Sequence, residues 1–133
     1  MSQGNVEIVR ALFDGWNVGD RPDPAQYCDP AVELESPFSS LNGEPYRGYA
    51  GIKQWMRDVG EQFSQWQMVV DDLRAAGDSV VVIGTTHARG RASEIDVDLP
   101  LAFVADFGAA GRITRARIFP DVNAALKAAG LAG

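Results

Sequence analysis

One cysteine, one histidine and no long apolar run leave several classes of function without material. A lone Cys28 cannot close an internal disulfide, and Cys28 with His87 has neither the count nor the spacing of a metal site. No metal and no other cofactor is expected. Nothing near the roughly 18 consecutive apolar residues of a membrane-spanning helix occurs. The Gly-x-Ser-x-Gly, P-loop and Gly-x-Gly-x-x-Gly patterns are missing, which removes the usual serine-hydrolase, nucleotide and dinucleotide readings. Positive charge is short as well. Twelve Lys and Arg stand against 18 Asp and Glu, and the resulting net charge of −6 repels phosphate backbones and anionic bilayers, so neither nucleic acid nor a membrane is an expected partner. Residues Met1 to Arg10 show neither the apolar stretch of a signal peptide nor a lipidation pattern, and the expected location is cytoplasmic.

What is present is ordinary globular material. The 133 residues are 46% hydrophobic and 23% charged, enough for one domain over 1–133 with one core. Ile8, Val9, Leu12, Phe13 and Trp16 recur at helical spacing after Asn5, a candidate cap, and predict a helix over 5–17 stopped by Gly19. Asp23 before Pro24 reads as an N-cap and an N1 proline for a short helix over 24–27. A strand over 31–36 and a long loop over 38–48 follow. Ile52, Trp55, Met56, Val59 and Phe63 then mark a main helix over 49–65.

Beyond that the hydrophobic period falls to two. Strands are predicted over 66–75, 79–89, 95–107 and 112–119, joined by Gly-containing turns that make an antiparallel meander in sequence order. A short helix over 122–129 closes the chain. The fold class is therefore α+β, with helices on one face of a curved antiparallel sheet. Odd positions from Ile95 to Phe107 should face the core, with Pro100 marking a bulge or an edge. Val80, Val81, Val82 and Ile83 are apolar in succession, so that strand reads as buried on both faces, the second against another copy of the chain. A homodimer is expected.

Chemistry must come from a pocket between helices and sheet. His87 is the one side chain of a type that exchanges protons near neutral pH, and it shares parity with Val81, Ile83 and Thr85. With the odd face inward it would be a general acid or base; the alternative is a histidine held by a neighbouring hydroxyl or carboxylate. Glu33 and Glu35 share one face of the first strand and read as solvated, although Glu35, beside the turn at Pro37, is placed to reach a pocket mouth. Trp16, Tyr46, Trp55, Phe63, Trp66 and Phe103 come from different elements and can line a cavity as well as fill a core. Arg89, Arg91, Arg112, Arg115 and Arg117 gather on adjacent strands or near turns and read as a salt-bridged interface rather than a nucleic-acid patch.

These segments resemble the SnoaL-like, polyketide-cyclase-related branch of the nuclear-transport-factor-two-like superfamily. The likeness rests on Asn17-Val18-Gly19-Asp20 after the first helix, Asp29-Pro30-Ala31-Val32 entering the first strand, and Tyr46-Arg47-Gly48 before the main helix. Gly111-Arg112-Ile113 at the last strand and the ending from Ala125-Leu126 to Ala129-Gly130-Leu131 extend it over nearly the whole chain. The resemblance implies a cone-shaped, cystatin-like α+β barrel with a pocket, commonly dimeric through the outer sheet face. It also implies where acids would sit. The ketosteroid-isomerase base and oxyanion donors fall on Ser36, Leu12 and Phe103, and the cyclase acid on Ile118, so neither apparatus is present. The same likeness puts Ile83, Thr85 and His87 on the cavity wall. Two functions follow. One is an acid/base enzyme of cyclase, isomerase or hydrolase type acting through His87 on a polyketide-, terpenoid- or steroid-like molecule. The other is a non-catalytic module of the same fold that binds a small apolar ligand or another protein.

Overall fold

The structure is a computed structural model that describes residues 2–19, 23–36 and 44–131, without the side chains of residues 2 and 3. Helix α1 (Ser2–Asn17) turns Val9, Leu12, Phe13 and Trp16 toward the sheet and ends before Gly19, whose φ of +83° suits glycine. It starts ahead of the expected cap, and Asn5 lies buried within it. Helix α2 (Pro24–Tyr27) opens as its sequence predicts, with Asp23 Oδ1 accepting the Ala25 N–H at 3.0 Å.

Strand β1 (Cys28–Glu35) begins earlier than expected and absorbs Pro30. That proline falls where the pairing of β1 with the last strand is irregular, between Cys28↔Ile113 and Glu33↔Arg115, so no ladder N–H is lost. Part of the expected 38–48 loop, residues 38–43, lies outside the described residues. Its end forms a two-residue strand, β2 (Tyr46–Arg47), antiparallel to β1. Helix α3 (Gly48–Gln62) buries Ile52, Trp55 and Val59 on one stripe. The meander follows as β3 (Phe63–Ala76), β4 (Ser79–Gly90), β5 (Asp96–Phe107) and β6 (Ile113–Phe119), and α4 (Val122–Ala128) ends the chain. The sheet order is β2-β1-β6-β5-β4-β3, and the β1–β6 pair is parallel, a closure that hairpin turns alone do not announce.

Two buried clusters divide the sheet by face. Helices α1 and α3 cover the inner face, where Val32, Leu34, Met68, Val80, Val82, Leu101 and Ile118 are buried. On β5 the odd residues Leu101, Phe103, Ala105 and Phe107 face this core, as their alternation predicts. Ile95 and Val97 are exposed because that end of the hairpin runs past the helices. Pro100 pairs with Thr85 of β4, while β6 reaches only as far as Ala102, so the proline occupies an edge stretch.

The inward parity of β4 is even, not odd. Val82 sits directly opposite Phe103, and cross-strand partners share a face, so Val80, Val82, Thr86 and Ala88 point in while Ile83, Thr85 and His87 point out. Four apolar residues in a row contain no alternation from which this could be read. The outer side of that run is covered from within the chain: Val81, Ala102, Val104 and Ala125 form a second cluster beneath α4, with Ile83, Phe119, Val122 and Leu126 at its margin. A second subunit is not needed to keep Val81 from water.

At Gly84 β3 and β4 approach closely. Gly84 pairs with Val70 beside the bulge before Asp72, and a Cβ there would run into the Val69 carbonyl oxygen and the Met68 methyl. Gly84→Ala should therefore lower stability by about 2 kcal/mol, the scale of an overpacked core, read as a lower urea midpoint at unchanged slope. An unchanged midpoint would mean the two strands separate there freely.

Candidate ligand cavity

Between roof and sheet the inner core is incompletely filled, leaving a cavity of about 160 Å³. Its floor is made of cross-strand rows. Val82, Phe103 and Ile118 form one, on β4, β5 and β6; Leu34, Ala116 and Ala105 form the next, on β1, β6 and β5. Small alanines in the second row leave the space that larger side chains would fill. The roof is the apolar stripe of α1 together with Ile52, Trp55 and Met56 of α3, and α2 contributes Pro24 and Tyr27 at one end.

Aromatic contacts join the roof to the floor and the two roof helices to each other. Phe13 meets Phe103 edge to face at 5.0 Å between ring centres, and Trp16 lies 5.7 Å from Trp55. The Trp16 indole N–H donates to the Trp66 carbonyl at 2.8 Å. Asn17 completes the joint: its Nδ2 donates to the Met68 carbonyl at 2.6 Å and its Oδ1 accepts the Met68 N–H at 3.0 Å.

Of the expected site residues, Leu12, Trp16, Trp55, Trp66, Phe103 and Ile118 all line this cavity. Phe63 and Tyr46 stand one layer behind. Phe63 packs its ring 5.0 Å from Trp66, and the Tyr46 hydroxyl donates to Asp58 Oδ2 at 2.7 Å. The other four are elsewhere. His87, with its side chain 48% exposed, lies on the outer face with Nδ1 2.5 Å from Asp98 Oδ1, and Ile83 and Thr85 share that face. Glu35 also points outward and accepts from Arg115 Nη2 at 2.8 Å. The expected acid/base pair is thus absent from the cavity wall and divided between β4 and β1, with β5 and β6 between them. A parity error of one residue moved His87, Ile83 and Thr85 together, because side chains alternate strictly along a strand. Of the five arginines expected to form a salt-bridged interface, Arg89 pairs with Asp96, Arg115 with Glu35 and Arg117 with Asp106, while Arg91 and Arg112 donate to backbone carbonyls instead.

No carboxylate, imidazole, ammonium or guanidinium is among the described residues that line the cavity. Nor do any three His, Cys, Asp or Glu side chains among them converge as metal ligands would. Cys28 is a lining residue that sequence reasoning missed, since a single cysteine before a strand carries no signal of its own. Burial pushes its thiol up to about 11, against the opposing pull of the Arg112 guanidinium. Arg112 itself donates to the carbonyls of Ala25 (2.8 Å) and Cys28 (3.2 Å), tying α2 to the start of β1.

Residues 9–116 match the SnoaL-like domain family, and the chain belongs to it. No curated protein matches the sequence. Solved structures share the fold at low identity. An NTF2-like protein of unknown function from Burkholderia pseudomallei K96243 aligns at a TM-score of 0.78 and 19% identity, over 92% of this chain and 95% of its own. A protein from Jannaschia sp. CCS1 described as a SnoaL-like polyketide cyclase aligns at 0.76 and 23%, over 99% and 94%. TerC, co-crystallised with polyporic acid, aligns at 0.73 and 22%, over 95% and 98%. These likenesses fix the α+β architecture, a curved sheet under helices. No helix among the described residues is long and apolar enough to cross a membrane.

The Cys28 thiol should be inert in the native protein. With its titration moved from the usual 9.0 to about 11, the thiolate fraction at pH 8 falls about a hundredfold. A disulfide reagent should label the native protein at least that much more slowly than the urea-unfolded chain. Equal rates would place the thiol in solvent.

Proposed function

We propose that this protein binds one compact, uncharged hydrophobic molecule in the cavity between its helices and sheet, without an acid or base of its own acting on it. One observation carries the reading: a cavity of about 160 Å³ whose lining includes no ionised side chain among the described residues. A cavity of about 150 Å³ walled by aliphatic and aromatic side chains elsewhere holds benzene, so a single-ring molecule of terpenoid or aromatic kind is the appropriate size. A four-ring steroid would need the roof to lift. TerC, crystallised with polyporic acid, lends the reading support as an instance of this architecture beside an organic ligand.

We further infer a homodimer. Val69 is 51% exposed on the outer face and stands in one cross-strand row with Thr85 and Pro100, apart from the cluster beneath α4. Paired with a second copy, this row would lose its contact with water.

A thermal-shift series of benzene, cumene, limonene and cholesterol should raise the melting temperature for the single-ring compounds alone. The shift should grow with ligand concentration, since about 2.7 kcal/mol accrues at a hundred times Kd. No shift from any single-ring compound would overturn the binding reading. Light scattering at micromolar concentration should return twice 14.3 kDa; the monomer mass would remove the dimer.

A further inference from the structure

The two cross-strand rows of the cavity floor do not keep the same accessible surface throughout. Leu34, Ala105, Ile118 and Val82 are buried, at 7% exposure or less. Ala116 and Phe103 are only partly buried. Both lie in the interior of the sheet: β6, which carries Ala116, runs between β1 and β5, and β5, which carries Phe103, runs between β6 and β4. Water cannot approach such residues past a sheet edge, and on the inner side they face the cavity that both line. The floor is therefore open over these two diagonal neighbours and closed by contact around them.

Phe103 is already engaged on one side, where Phe13 meets it edge to face. Ala116 has only a methyl group to offer, between Leu34 on β1 and Ala105 on β5. Strand interiors favour larger, β-branched side chains, and a core packed to normal density leaves no room over an alanine. Here the room exists. On the roof Leu12, Trp16 and Met56 also keep accessible surface, so the space is bounded above and below by residues with contacts still to make.

We propose that Ala116 is the seat and the size-determining residue of the cavity: the ring of the ligand rests on its methyl group, beside Phe103, and that one-carbon side chain sets the largest molecule the cavity accepts. This rests on the binding reading above and adds where in the cavity the ligand lies and which residue selects it. Enlarging such a residue should weaken ligand binding while strengthening the fold. A larger side chain at a filled core position strains its neighbours, whereas at an empty one it takes the contacts that the ligand would have had.

Ala116→Val is the test variant, with benzene and cumene as probes. Its urea midpoint should rise, and in calorimetric titration cumene should weaken about tenfold more than benzene, the scale on which a hydrophobic pocket resolves an added methylene. A lower midpoint, or an equal change for the two probes, overturns the size-determining role and leaves the cavity reading standing. Should the variant not fold, the wild type decides alone. With benzene bound, nuclear Overhauser contacts should join its protons to the Ala116 methyl and not to that of Ala102, which is buried in the cluster beneath α4. Benzene that binds without reaching the Ala116 methyl rejects the seat and nothing else. Failure of both probes to bind the wild type overturns the seat and the binding reading together.

Discussion

The Asn17 side chain joins the helical roof to the sheet, and the cavity exists because of that joint. Its amide meets both the N–H and the C=O of Met68, as a neighbouring strand would meet them. β3 is an edge strand, so these groups would otherwise face water or another chain. Gln67 Nε2 returns a bond to the Asn17 carbonyl at 2.9 Å, and Trp16, one residue earlier, adds its own bond to Trp66. Four hydrogen bonds thus gather at the end of α1. They fix how far the helix stands from the sheet, and that distance, with the alanines below, leaves the space unfilled.

Elements with a strong period were legible in the sequence. The stripes of α1 and α3 and the alternation of β5 placed Leu12, Trp16, Trp55 and Phe103 on the wall that they occupy. Asp23-Pro24 placed α2 because a cap and an N1 proline act locally. Where the period vanished, so did the information. Val80 to Ile83 are apolar on both faces for two separate reasons, the inner core and the covering α4, and nothing in the run says which parity belongs to which. His87, four residues further, inherited the ambiguity. The parallel β1–β6 pairing was equally silent, being a contact between residues about eighty positions apart.

Membership in the SnoaL-like family explains the shape better than the chemistry. Of the four positions at which the resemblance would place acids or donors, Leu12, Phe103 and Ile118 face the cavity and are hydrocarbon, while Ser36 is not among its lining residues. The architecture is that of the family, and the wall of its cavity is hydrocarbon at those three positions. A fold specifies where a site will be, and side chains decide what happens there.

All the tryptophans of this chain stand on the cavity wall, with Trp16 and Trp55 close enough to exchange excitation at 5.7 Å. Near-ultraviolet excitation of indole therefore samples the cavity and no other part of the molecule. The protein is its own optical probe: emission colour and lifetime report what fills the space, and a quencher dissolved in the buffer reports how often the roof lets it in.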